Sequence, residues 1–128
     1  VLQGEWLRPG AHVNAMGSNW AHRREVDTET VIRSALIAVD DEEQARIEAG
    51  DLLIPEREGR YSMSEAANDG RLVELGQIVA GKVAGRPDEQ AITLFKSLGI
   101  GAEDVVTAAY IYQQAREHGL GQELDLLA

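Results

Sequence analysis

The chain has 128 residues, 44% of them apolar and 27% charged, enough for one domain with a real core and too little for two. Its 12 basic and 22 acidic residues leave a net charge of −10, which argues against a nucleic-acid backbone or an anionic membrane as partner. Cysteine is absent, which excludes disulfides and thiolate metal sites. No stretch approaches the roughly 20 apolar residues of a membrane-spanning helix, and no secretory signal is recognisable, so a soluble cytoplasmic protein is expected.

The opening, "VLQGEWLRPGAHV", puts no polar leader ahead of an apolar segment and reads as if cut from something larger. Arg8-Pro9-Gly10 predicts a turn feeding a short buried strand, about His12 to Met16. Asp27 is placed to cap a helix, "TETVIRSA", with Glu29 in its first turn and Val31, Ile32 and Ala35 on one side. "LIAVD", Leu36 to Asp40, is the near-continuous apolar run of a strand covered on both faces. "DEEQARIEA" predicts a short helix with an acidic start that stops at a left-handed Gly50. "DLLIP" then leads into a polar loop around Glu56 to Arg60.

From Ser64 the pattern predicts a helix, with Leu72, Leu75, Ile78 and Val79 on one face of "RLVELGQIVAGK". "AGRPDEQ" is a loop, and "AITLFKS", Ala91 to Ser97, another buried strand. The last element, about Ala102 to His118, sets Val105, Ala109, Tyr112 and Ala115 on one stripe and closes at Gly119. The alternation predicts an α/β fold, a layered and mostly parallel sheet with flanking helices.

In open parallel sheets, ligands bind beyond the carboxyl ends of the strands. Two such ends are polar and contain glycine: Gly17-Ser18-Asn19 and Lys96-Ser97-Leu98-Gly99. If the strands are neighbours, the two ends form one wall of a crevice. There Gly17 admits a flat ligand, Asn19 and Ser97 donate and accept, and Lys96 and Arg23 meet an anion. On residue types alone the ordinary reading is the stronger one, that both are simply strand-to-loop turns, which favour the same residues. Trp20 reads either as a lid over a ligand or as a satellite core residue.

"GIGAED", Gly99 to Asp104, follows a strand and opens a helix, as a dinucleotide-binding glycine loop must. Its third glycine position is Asp104, whose carboxylate repels a pyrophosphate, so it reads as a helix start. "GLGQEL" follows a helix instead of opening one. Neither is a phosphate loop. His12, His22 and His118 form no metal constellation, and Asp40 to Glu43 reads as a helix start.

Four motifs in order carry a resemblance: "GAHVNAMGSNWAHRREVD", "VDDEEQARIEAGDLL", "ELGQIVAGKVAGR" and "ITLFKSLGIGAEDV". Together they make the chain, from about Glu5 to Gly121, resemble the ornithine cyclodeaminase/mu-crystallin family. The resemblance implies an enzyme dependent on NAD or NADP that acts on small amino or imino acids. It further implies a doubly wound Rossmann-like domain, of which residues 1–128 are the carboxyl-terminal segment, without the glycine-rich phosphate loop. The turn from Ala15 to Asn19 is implied to lie beside the nicotinamide. Met16, Gly17, Asn19, Arg23 and Ser97 are then the cofactor-binding candidates, and no catalytic residue is assigned within the segment.

Where family members cyclise ornithine, the position of Asn19 holds an Asp that handles the amine proton. An amide cannot take that role. Asn19 therefore favours an imine reductase or amino-acid dehydrogenase over a cyclodeaminase. Ala21 stands where many members carry Pro, which implies a looser turn. Alone, the segment is expected to be inactive and to bind dinucleotide weakly or not at all, and a homo-oligomer is expected. The alternative is a stand-alone, non-catalytic relic or cassette-encoded domain that folds by self-association.

Overall fold

A computed structural model describes residues 1–122 and 124. Four strands form one parallel sheet in the order β1-β4-β2-β3: β1 His12–Ala15, β2 Ser34–Val39, β3 Leu72–Glu74 and β4 Ile92–Lys96. The helices are α1 Thr28–Arg33, α2 Glu42–Glu48, α3 Gly50–Arg57, α4 Met63–Asn68, α5 Leu75–Val79 and α6 Gly101–Glu117. The α/β class and the parallel sheet with flanking helices are as the alternating pattern predicts.

The first compact unit is Val1–Leu98 and contains the sheet. The register sets Val13, Leu94, Ile37 and Leu72 in one row, and Ala15, Lys96 and Val39 in the next. This face carries the main core, closed by Val31, Ala45, Leu52, Met63 and Ala66 from the helices and by Ala49 between α2 and α3. The opposite face, with His12, Asn14, Leu36, Ala38, Thr93 and Phe95, borders a shallow cavity with Leu75 and Ile78. β2 is buried on both faces, as its apolar run requires.

The helix starts follow side-chain chemistry. Asp27 accepts from Thr30 N–H at 2.8 Å to cap α1, and Asp41 accepts from Gln44 N–H at 2.7 Å to cap α2. Gly10, at φ 79°, closes the predicted turn before β1. Among the described residues, no helix is long and apolar enough to cross a membrane.

Five expectations are corrected. Helix α1 stops at Arg33, because Ser34 already pairs with Ile92 in the sheet; Ala35 is extruded at a register shift and exposed. Ile32 is exposed too, so the proposed α1 face reduces to Val31. Gly50 is not a left-handed stop but the first residue of α3. Of the polar loop expected around Glu56 to Arg60, Glu56 and Arg57 belong instead to α3, which continues through Pro55 because Leu52 and Pro55 are buried, and the turn is confined to Glu58, Gly59 and Arg60. The single helix predicted from Ser64 is α4, strand β3 and short α5. Leu72 and Val73 are buried as a strand, and Val79 is exposed.

The second unit begins at Gly99. Its helix α6 opens with Glu103 and Asp104 in the first turn and is followed by Gly119 at φ 64°. Both ends match the helix start and the stop at Gly119 expected from the sequence.

Candidate functional site

Strand order decides where the polar turns meet. Because β4 lies between β1 and β2, the carboxyl ends of three parallel strands are adjacent, with Ala15 opposite Lys96 and Lys96 opposite Val39. Met16–Asn19 leaves β1, Ser97 leaves β4 and Asp40 leaves β2, all at one rim. Ser97 N–H donates to Ala15 O at 3.0 Å, which ties two of the ends directly.

The turn after β1 is held from beneath. Glu25 Oε1 accepts from Gly17 N–H at 2.8 Å and Ser18 N–H at 3.3 Å. Lys96 Nζ donates to Ser18 O, to Ala15 O at 3.3 Å and to Glu25 Oε1 at 3.2 Å. It also pairs with Asp51 Oδ2 at 3.1 Å, and the Lys96 and Asp51 side chains are both fully buried. Asp51 Oδ1 in turn accepts from Glu25 N–H at 2.7 Å and Val26 N–H at 3.0 Å. The expectation that Lys96 meets an anionic ligand is therefore corrected. Its ammonium lies inside the core face, spent on two carboxylates and two carbonyls.

A Cβ on Gly17 would stand 2.7 Å from Glu25 Oε2, so the absent side chain makes room for that carboxylate. Gly17 is exposed on its outer side. Met16 and Asn19 are exposed as well. They form the outer surface of a turn whose inner surface is tied down.

The segment from Trp20 to Arg23 is a reverse turn, with Arg23 N–H donating to Trp20 O at 3.0 Å. Ala21 lacks the ring that would fix φ, and Arg57 Nη2 instead holds its carbonyl at 2.7 Å. The turn rests on α3 so closely that a Cβ on Gly50 would lie 2.0 Å from Arg23 O and 2.4 Å from Trp20 O. The Arg23 guanidinium lies over the Trp20 ring at 5.7 Å, and His22 meets the same ring edge-on at 5.8 Å. Trp20 is 57% exposed, so it is not a core residue.

On the other side of the rim, Asp40 Oδ2 accepts from Ser97 Oγ at 3.0 Å and Leu98 N–H at 2.6 Å. A hydroxyl has one proton. With that proton given to Asp40, Ser97 presents only lone pairs to anything beyond the rim.

Of the sequence candidates, Met16 and Gly17 follow the end of β1 and Ser97 follows the end of its neighbour β4, while Asn19 lies further along the turn and borders a cavity with Trp20, His22 and Ile47. Arg23 sits four residues further on, beside Trp20. His12 and His118 have local partners: His12 Nδ1 is 2.7 Å from Thr93 Oγ1, and His118 Nδ1 is 2.9 Å from Gln114 O. Among the described residues no cluster of His, Cys, Asp or Glu is arranged to hold a metal ion. Sequence reasoning missed Glu25, Asp51 and the inward direction of Lys96. The signal for Lys96 was present, since Ile92, Leu94 and Lys96 alternate on one face of a strand.

Comparison with known proteins agrees with this fold. Residues 1–119 match the family model described as ornithine cyclodeaminase/mu-crystallin family. The chain is 36% identical over 121 residues to the delta(1)-pyrroline-2-carboxylate reductase of Bacillus cereus, covering 94% of this chain and 36% of that protein. It is 36% identical over 112 residues to the ketimine reductase mu-crystallin of Mus musculus, covering 88% of this chain and 31% of that one.

Among solved structures, the Thermococcus litoralis delta(1)-pyrroline-2-carboxylate reductase in complex with NADH and L-proline superposes with a TM-score of 0.81 at 41% identity, over 97% of this chain and 36% of that one. An archaeal alanine dehydrogenase dimer with bound NAD gives a TM-score of 0.76 at 30% identity, over 99% of this chain and 38% of that one. The chain thus spans about a third of the length of these relatives. A family match over almost the whole chain and a superposition that carries the parallel sheet lead to one conclusion: the chain belongs to the ornithine cyclodeaminase/mu-crystallin family.

Proposed function

We propose that these residues form the later strands of the Rossmann-like domain of an NAD(P)-dependent oxidoreductase acting on a small amino or imino acid. Imine reduction or amino-acid dehydrogenation is favoured over ornithine cyclisation. The observation that carries this reading is the rim itself. Met16–Asn19 and Ser97 sit side by side at the carboxyl ends of neighbouring parallel strands, where such sheets bind ligands. The phosphate-binding glycine loop is assigned to family sequence outside these 128 residues.

The residues present suit a nicotinamide, which when bound would give the hydride in imine reduction or take it in dehydrogenation. Gly17 lets the turn close down on Glu25 and leaves exposed backbone at the rim. Ser97, its proton engaged by Asp40, offers an acceptor that matches a carboxamide N–H. Asn19 is exposed and orients a substrate by donating and accepting, but it holds no titrating proton near neutral pH. Arg23 adds a positive charge near an otherwise neutral turn. The names of the relatives, two imino-acid reductases and an alanine dehydrogenase, support the same substrate class.

The test is turnover by the full-length protein. NADH and NADPH oxidation are measured with pyrroline-2-carboxylate and with 2-oxo acids plus ammonia, beside ornithine cyclisation. Imine-dependent oxidation of either cofactor is expected. Ornithine cyclisation as the faster reaction, or no cofactor oxidation with any of these substrates, contradicts the proposal.

A non-catalytic, self-associating domain remains the rival reading, and one observation favours it. Among the described residues β1 pairs only with β4, which leaves its other edge open to a further strand. A monomer in size-exclusion chromatography at high concentration counts against that reading.

A further inference from the structure

The Gly17 and Ser18 N–H groups and the Ser18 carbonyl all end on one pair of side chains. Glu25 Oε1 accepts from the two N–H groups, and Lys96 Nζ donates to the Ser18 carbonyl and to Glu25 Oε1 itself. Packing alone does not require an ammonium at this position, since a methionine fills similar volume without desolvating a charge. A lysine is explained by what it holds. The Ala15 and Ser18 carbonyls turn inward at the end of an edge strand, and an ammonium can draw several acceptors together at once. Asp51, fully buried at 3.1 Å, balances its charge from α3 and anchors the backbone at Glu25 and Val26.

The clamp is one-sided. Glu25 and Lys96 grip the inner surface of the turn, with Asp51 behind them, while Met16 and Asn19 are exposed on the outer surface. We propose that Lys96 is a positioning residue. Acting through Ser18 O and Glu25, it fixes the height and tilt of the Met16–Asn19 turn relative to Ser97, and so the shape of the wall against which the cofactor ring is held. This rests on the nicotinamide reading above. A wall misplaced by an ångström costs rate even though no clamp residue touches the reacting atoms.

Three variants of the full-length protein test the inference: Glu25→Ala, Glu25→Gln and Lys96→Met. Amide hydrogen exchange at Gly17 and Ser18 is read without cofactor, and kcat and KM for the cofactor are read on folded protein. Glu25→Ala is expected to speed exchange at both amides and to lower kcat/KM for the cofactor by about 10- to 100-fold. Glu25→Gln keeps an acceptor for Gly17 N–H and is expected to fall between parent and Glu25→Ala in both readouts. Lys96→Met is expected to match Glu25→Ala at Ser18; should it fail to fold, the two Glu25 variants decide the matter.

Unchanged Gly17 and Ser18 exchange in Glu25→Ala overturns the clamp. Faster exchange with unchanged kcat and KM overturns its role in positioning. If the parent protein neither reduces an imino acid with NAD(P)H nor oxidises an amino acid with NAD(P)+, the functional reading fails, and exchange alone decides whether the clamp exists.

Discussion

Lys96 Nζ and Asp51 Oδ2 lie 3.1 Å apart, and neither side chain reaches solvent. One comes from the end of the central strand β4 and the other from the first turn of α3, so the pair joins the sheet to the helix layer directly beneath the rim. A buried ion pair adds little compared with an apolar pair, but breaking one half strands the other. Lys96→Met alone is expected to cost about 3–5 kcal/mol. The double variant Lys96→Met/Asp51→Asn should recover most of that loss, since a neutral amide in place of the Asp51 carboxylate still accepts from the Glu25 and Val26 N–H groups. Urea unfolding of the single and double variants checks this, and additive losses contradict it.

Gly50 is required by proximity and not by conformation. Its added Cβ would meet two backbone carbonyls, Arg23 O at 2.0 Å and Trp20 O at 2.4 Å, and neither can swing aside as a side-chain tip could. Gly50→Ala is expected to destabilise the fold by about 3 kcal/mol and to displace the Trp20–Arg23 turn. Thermal unfolding and tryptophan fluorescence report the two effects separately. A Tm unchanged from the parent contradicts the packing described.

Asp27 gives the fold a defined acid sensitivity. Burial opposes its ionisation, but hydrogen bonds from the Thr30 hydroxyl, Thr30 N–H and Gly4 N–H, with the charge of Arg24, prevail and hold its carboxyl below the ordinary 3.8. A carboxyl with a lowered folded pKa stabilises above its unfolded pKa, and the contribution is lost as pH falls through the folded value. Asp27→Ala is therefore expected to cost about 1–2 kcal/mol at neutral pH. The gap between parent and variant should close as pH drops below 3.8. Denaturant midpoints across pH measure it; a gap independent of pH contradicts the assignment.

Ser97 and Asn19 separate binding from chemistry. Ser97→Ala removes one acceptor at the rim while Leu98 N–H keeps its bond to Asp40 at 2.6 Å. It should raise KM for the cofactor by about 10-fold, the effect of losing one hydrogen bond, with the fold retained. Asn19→Ala should lower kcat with the imino acid and leave cofactor KM nearly unchanged. Steady-state kinetics decide between these outcomes and a common loss in both parameters.

Much of the fold can be read from short-range chemistry. The β1, β2 and β4 strands, the caps at Asp27 and Asp41, and the closure of α6 by Gly119 all follow from residue type and spacing. Other elements depend on tertiary context. β3 is three residues long, too short for alternation to outweigh the helical spacing of Leu72, Leu75 and Ile78. Pro55 is locally a helix breaker, yet α3 runs through it because its neighbours are buried. Gly50 has the sequence context of a left-handed stop and serves instead as a point of backbone contact.

The rim shows the same division. Gly17, Asn19 and Ser97 are marked by strand-end composition, and the adjacency of their strands was a condition that only the β1-β4-β2-β3 order meets. Glu25 and Asp51 carry no local signal of a joint role. They are 26 residues apart in sequence at the hydrogen bond that links them, and only the folded chain puts both against Lys96.

The most direct measurement is the structure of the full-length protein bound to NADH. The nicotinamide is expected against the turn from Met16 to Asn19, with its carboxamide N–H donating to Ser97 Oγ while Ser97 still donates to Asp40. A nicotinamide bound away from these strand ends, or against only one of the two turns, contradicts the shared rim.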